Sequence, residues 1–128
     1  MREILFRAWD KVSNKYREFD GMHDTMTINE DGKVEYYNLQ NGSGGDEYIL
    51  EQFTGIKDRN GKMIFEGDIV HIDNYDEGWD STVEFKGGAF AVDVEGREYD
   101  YTAIGWTEYE AVVIGNIHDN PELLEAKS

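Results

Sequence analysis

Closely spaced turn pairs restrict this chain more than any other feature. Asp31-Gly32, Gly44-Gly45, Asn60-Gly61 and Gly87-Gly88 punctuate it, and its 14 Gly stand against a single Pro, Pro121. Glycine supplies the positive φ angles of tight hairpin loops at no steric cost. Turns this frequent predict an all-β fold. Ile4–Trp9 and Tyr16–Phe19 flank a polar turn at Asp10–Lys15 and pair as one hairpin. Met26–Asn29 and Lys33–Tyr37 flank Asp31-Gly32 and pair as a second.

Asn41-Gly42-Ser43-Gly44-Gly45 has the composition of a flexible hinge. It divides the chain into a hairpin region, residues 1–45, and a barrel region, residues 46–128, expected to pack together. Beyond it, Tyr48–Phe53 is apolar at mixed spacing, and Asp58–Lys62 turns the chain into Met63-Ile64-Phe65. Glu66-Gly67-Asp68 then leads into Asp68–Ile72. Thr82–Lys86, Gly87-Gly88 and Ala89–Val94 form another hairpin, with Val83 and Phe85 expected on one face and Glu84 on the other. Glu110–Ile117 is apolar on both faces, as a strand at the centre of a sheet is. Asn120-Pro121-Glu122 opens a short terminal helix, with Asn as cap and Pro at the first helical position. Short twisted strands with many turns close most economically into a small barrel, because closure removes free edges. The expected fold is mainly β: hairpins, a small SH3-like barrel and a short C-terminal helix.

Charge and composition exclude several functions. Twelve Lys and Arg face 28 Asp and Glu, a net charge of −16, and such a surface repels the phosphates that a nucleic-acid binder must neutralise. The absence of Cys excludes disulfides, thiol nucleophiles and thiolate metal sites. The apolar run near the N-terminus is too short for a signal peptide, and none reaches the ~20 residues of a membrane span. A cytoplasmic setting is expected. The acidity is uneven: residues 1–60 hold 8 basic and 12 acidic groups, net −4, while residues 61–128 hold 4 and 16, net −12.

The clearest candidate surface is Asp73–Asp80, which places carboxylates beside Tyr75 and Trp79. Aromatic residues carry a large share of binding energy at protein interfaces. Tyr75, Asp76, Glu77, Trp79 and Asp80, with Trp106, are therefore the expected partner-binding residues, although Tyr75 and Trp79 could equally fold back as core. The spacing does not suit a calcium loop, since Tyr75 stands where a third-position oxygen ligand belongs. The histidines, His23, His71 and His118, have no paired metal-ligand spacing. No metal, cofactor or catalytic residue is expected. An enzyme of the metal-dependent hydrolase or nuclease class would need Asp68, His71, Asp73, His118 and Asp119 to converge. A third reading takes the carboxylates as a mimic of DNA phosphates that occupies the basic cleft of a host protein.

Gln52–Val70, the block Val113–Leu124 and the opening Arg7-Ala8-Trp9-Asp10 with Tyr16 closely resemble the YopX family of small phage and prophage proteins. Asp73–Trp106 matches only in general character. The resemblance implies phage origin, a bacterial cytoplasm and an SH3-like barrel in the C-terminal part, and it brings no catalytic residues with it. The glycines of these motifs, Gly55, Gly61, Gly67 and Gly115, read as turns or close backbone approaches, and Ile69, Val70, Val113 and Ile117 as core. The expectation is a non-enzymatic accessory protein that binds a host or phage protein and has sheet edges through which it can form a homo-oligomer.

Overall fold

Gly87 and Gly88 both take positive φ, 63° and 80°, as a type I′ loop requires, and Lys86 and Ala89 close the two-residue hairpin around them. The computed structural model describes residues 5–17, 24–28, 30–31, 33–38, 48–73, 78–94, 97–104 and 110–125. In chain order these form β1 (Phe6–Asp10), β2 (Lys15–Tyr16), β3 (Asp24–Ile28), β4 (Val34–Asn38), β5 (Tyr48–Lys57), β6 (Met63–Phe65) and β7 (Asp68–Ile72). There follow β8 (Trp79–Thr82), β9 (Glu84–Lys86), β10 (Ala89–Val94), β11 (Arg97–Ala103), β12 (Ala111–Asn116) and α1 (Glu122–Glu125). The fold is mainly β with one short C-terminal helix, as expected.

The chain divides into two compact units, Leu5–Gln52 and the part from Phe53 onward, so the division falls inside β5. The glycine-rich stretch 41–45 lies outside the described residues.

In the unit Leu5–Gln52, β1 pairs with β2 and with the first half of β5, placing Trp9 opposite Tyr16 and Arg7 opposite Glu51. Both predicted hairpins form, the second as β3 against β4 with Met26 opposite Tyr36. Ala8, Trp9 and Tyr36 are buried. Trp9 meets Tyr16 edge to face at 4.9 Å, and Tyr36 meets Tyr48 at 4.6 Å, geometries that the ring quadrupole favours. Glu51 is a buried carboxylate, and the Arg7 Nε–H at 2.8 Å and the Tyr16 hydroxyl at 2.9 Å both donate to its Oε1. The Arg7 guanidinium also lies 4.4 Å from the Tyr16 ring centroid.

The unit from Phe53 onward holds two three-stranded antiparallel sheets, β12-β7-β8 and β11-β10-β9, and the β5–β6 pair. Ile64, Val70, Ile72, Val83, Val92 and Ile104 form its core, with Ile56, Trp79, Phe90, Ala111 and Val113 packed around them. Val70, Ile72, Val83 and Val92 have no exposed surface, and each such burial contributes roughly 1.5–3 kcal/mol. Among the described residues each of these two three-stranded sheets has two end strands, β12 and β8 in one and β11 and β9 in the other.

Two expectations are corrected here. The middle strand of its sheet is β7, buried on both faces, whereas β12 is an end strand whose Ile114 is exposed. The apolar character of β12 has another cause: the turn after β5 covers its free edge. There the Arg59 N–H donates to the Ala111 carbonyl at 3.1 Å, and the Val113 N–H donates to Asp58 Oδ2 at 3.0 Å. Val83 and Phe85 also differ, the first fully buried and the second 59% exposed. The chain turns at Val83, which bonds Gly67 and Asp68 through its own N–H and carbonyl. Thr82 and Glu84 thus belong to different sheets, and a single alternation does not run through them.

Gly115 and Asn120 approach so closely that a Cβ on Gly115 would lie 2.5 Å from Asn120 Oδ1. Asn120 turns that oxygen to the Asn116 N–H at 3.3 Å rather than to α1. The short terminal helix forms, but it begins at Glu122, one residue after Pro121, and Asn120 steadies the end of β12 instead of capping the helix.

Candidate functional site

The β7–β8 hairpin carries the most concentrated chemistry among the described residues. Its register sets Ile72 opposite Trp79 and His71 opposite Asp80. Because side chains alternate along a strand, Ile72 and Trp79 face the core while His71 and Asp80 share the other face. There the His71 Nδ1–H donates to Asp80 Oδ1 at 2.7 Å, and Nε2 lies 3.5 Å from Asp73 Oδ1. Asp73 in turn accepts from Arg59 Nη1 at 2.6 Å, and the same guanidinium nitrogen sits 3.6 Å from Glu110. The Asp73 hydrogen bond, more than any other influence, holds the Arg59 pKa above its ordinary value, so this cation stays charged between its two carboxylates.

The loop after β7 therefore has two fixed roots. At the first, Asp73 is held by Arg59 and through its N–H to the Glu110 carbonyl at 2.9 Å. At the second, Gly78 has φ 72° and lies against the His71 ring, where a Cβ would strike the Ile72 carbonyl oxygen and approach His71 Nε2. Glycine is the residue that fits there. Trp79 next to it is half-buried against the core and donates its indole N–H to the Asp93 carbonyl at 2.9 Å. Of the two positions open to this ring, contact surface or core, it occupies the second. Asp80 is partnered by His71. Tyr75, Asp76, Glu77 and Trp106 lie outside the described residues.

Of the set that an enzyme would need, His71 and Asp73 come together. The Asp68 carboxylate instead accepts the Phe65 N–H at 2.8 Å, and Asp119 accepts from the Asn116 amide at 3.2 Å. Asp73 and Asp80 sit on opposite nitrogens of the His71 ring, so the three do not converge on one point. Among the described residues, no three His, Asp or Glu side chains are grouped to hold a metal ion.

Sequence reasoning missed Arg59 and Glu110 as partners of Asp73, since only the folded register brings positions 59, 73 and 110 together. It also missed Asp58. Burial pushes the Asp58 carboxyl pKa upward, but N–H donation from Val113, Lys62 and Asn60 outweighs that and holds it below the ordinary 3.8. An Asp two residues before Asn60 and four before Lys62 is a turn-forming pattern, a signal that sequence does carry; the Val113 contact has none.

The YopX protein family matches residues 5–125 of this chain. The SPbeta prophage-derived uncharacterized protein YopX of Bacillus subtilis strain 168 is 44% identical over 135 residues, covering 94% of this chain and 95% of that protein. The crystal structure of yopX from Bacillus subtilis superposes with a TM-score of 0.68 at 30% identity, covering 96% of this chain and 98% of that one. A crystal structure from Enterococcus faecalis superposes with a TM-score of 0.58 at 28% identity, covering 97% and 99%. Coverage of 96–97% of this chain means that the likeness takes in residues of both units. On that evidence the chain belongs to the YopX family.

Proposed function

We propose that the protein is a phage- or prophage-encoded, non-enzymatic binding module that engages another protein, of host or phage origin, in the bacterial cytoplasm. The contact surface is the acidic segment after β7 that carries Tyr75, Asp76 and Glu77, with Asp80 at its root, Trp106 as a further contact, and Trp79 fixing that root to the core. The observation that carries this reading is the pinning of both roots, Asp73 by Arg59 and the Glu110 carbonyl, and Trp79 and Asp80 by the Asp93 carbonyl and His71. A recognition loop set on fixed ends loses less freedom on binding than one hung from mobile ends. The excess of 16 acidic over 4 basic residues beyond residue 60 favours a basic partner. The prophage origin of the Bacillus subtilis relative supports the phage setting.

The test is affinity capture from bacterial lysate with the wild type and a Tyr75→Ala/Asp76→Asn/Glu77→Gln variant, each eluted across a salt series. A protein retained by the wild type, lost with the variant and released as salt rises supports the reading. Equal retention by both, or none by either, overturns it. Release of the captured protein by competing duplex DNA would assign the loop as a mimic of nucleic-acid phosphates.

A further inference from the structure

The geometry points to a second interaction surface, on a different strand. We infer that the free edge of β9 pairs antiparallel with β9 of a second copy of this chain, about a two-fold axis at Phe85.

The backbone supplies the first argument. β9 has β10 as its one strand neighbour among the described residues. With Lys86 and Ala89 closing the two-residue loop, Phe85 and Phe90 form the next pair along the ladder. In an antiparallel hairpin that pair is the non-hydrogen-bonded one, so the N–H and carbonyl of Phe85 point outward, away from β10. No hydrogen bond to either group is formed among the described residues. An edge that offers one donor and one acceptor from the same residue is matched by an identical edge run in the opposite direction.

The side chains supply the second. Phe85 is 59% exposed and stands 5.1 Å from Phe90 in edge-to-face contact, extending an apolar ridge outward from the core. Glu84 and Lys86 flank it, one of each sign. In the two-fold register, Phe85 faces Phe85 and each Glu84 faces Lys86 of the other copy. The sequence Glu84-Phe85-Lys86 is therefore self-complementary in charge and in shape. Within one chain Lys86 already lies 3.7 Å from Glu84 and 3.5 Å from Asp93, so its ammonium is held where the second Glu84 arrives. A contact of three residues a side makes a weak, concentration-dependent dimer. The product is one continuous six-stranded sheet, and two-fold closure leaves no further β9 edge to propagate a fibre.

The experiment is sedimentation equilibrium of the full chain, from dilute solution to about 1 mM, where even weak association registers. The wild type is expected to rise from 14.7 kDa towards twice that mass. Glu84→Lys sets Lys against Lys, and Lys86→Glu sets Glu against Glu. Each alone is expected to weaken the dimer about tenfold, since two attractive cross-strand pairs become repulsive. An equimolar mixture of the two variants restores complementarity and is expected to dimerise as the wild type does, which also shows that both have folded. A wild type that stays monomeric, a dimer indifferent to these substitutions, or a mixture that fails to recover overturns the inference.

Discussion

Replacing Asp58 by Asn leaves the side chain's volume nearly unchanged but removes a charge and one acceptor. In the wild type, Oδ1 accepts the Asn60 and Lys62 N–H groups, each at 2.9 Å, and Oδ2 accepts the Val113 N–H at 3.0 Å. The residue is 8% exposed, so water does little to replace a lost partner. An Asn oxygen serves the first two donors and turns its NH₂ towards the third. Stranding the Val113 N–H costs about 1–3 kcal/mol, and the two surviving bonds, now to a neutral acceptor, weaken by about 0.5 kcal/mol each. The total is about 3 kcal/mol, a large part of the roughly 5–15 kcal/mol that holds a domain folded. Urea unfolding followed by circular dichroism measures it. Acid adds an independent readout. The folded pKa of Asp58 lies below its ordinary value, so the stability it contributes is present above the unfolded pKa and lost as pH falls through the folded one. Asp58→Asn should flatten that part of the acid limb. A variant within about 0.5 kcal/mol of the wild type, or one with an unchanged acid limb, would refute the assignment of Asp58 as the tie between this turn and β12.

Two further outcomes are expected. Gly115→Ala drives a methyl group against the Asn120 side chain and should cost about 1–3 kcal/mol, with Gly115→Ala/Asn120→Ala recovering part of the loss in the same urea assay; equal destabilisation of single and double variants would point to the backbone instead. Glu51→Gln leaves Arg7 without its buried counter-charge and should cost about 3 kcal/mol, read as faster amide exchange across β1 and the first half of β5, whereas unchanged exchange there would remove the pair from the forces holding this unit.

Local signals made the strands legible. Gly87-Gly88 announced its hairpin, Asp31-Gly32 lay between the strands that pair as β3 and β4, and Asn120-Pro121 announced α1. Each is a statement about φ angles or a missing N–H within a few residues, which a short window contains in full. The failures share a different character. Glu110–Ile117 looked central because it is apolar, but the same pattern serves an end strand covered by a turn. Val83 and Phe85 looked alike because alternation assumes one continuous sheet, and the chain changes sheet between them.

The candidate site follows the same division. Local order along the chain marked the acidic loop and its aromatic residues as a unit, since proximity there is guaranteed by the covalent backbone. Whether Trp79 meets solvent or core depended on the Ile72–Trp79 register and on the Asp93 carbonyl waiting 14 residues away. The pairing of His71 with Asp80, the clamp of Arg59 on Asp73 and the anchoring of Val113 by Asp58, 55 residues apart, likewise exist only once the strands have aligned. Turn chemistry and period-two patterning are short-range and were readable from residue types. Charge pairing and burial are properties of three-dimensional neighbours, and the folded chain alone chose those.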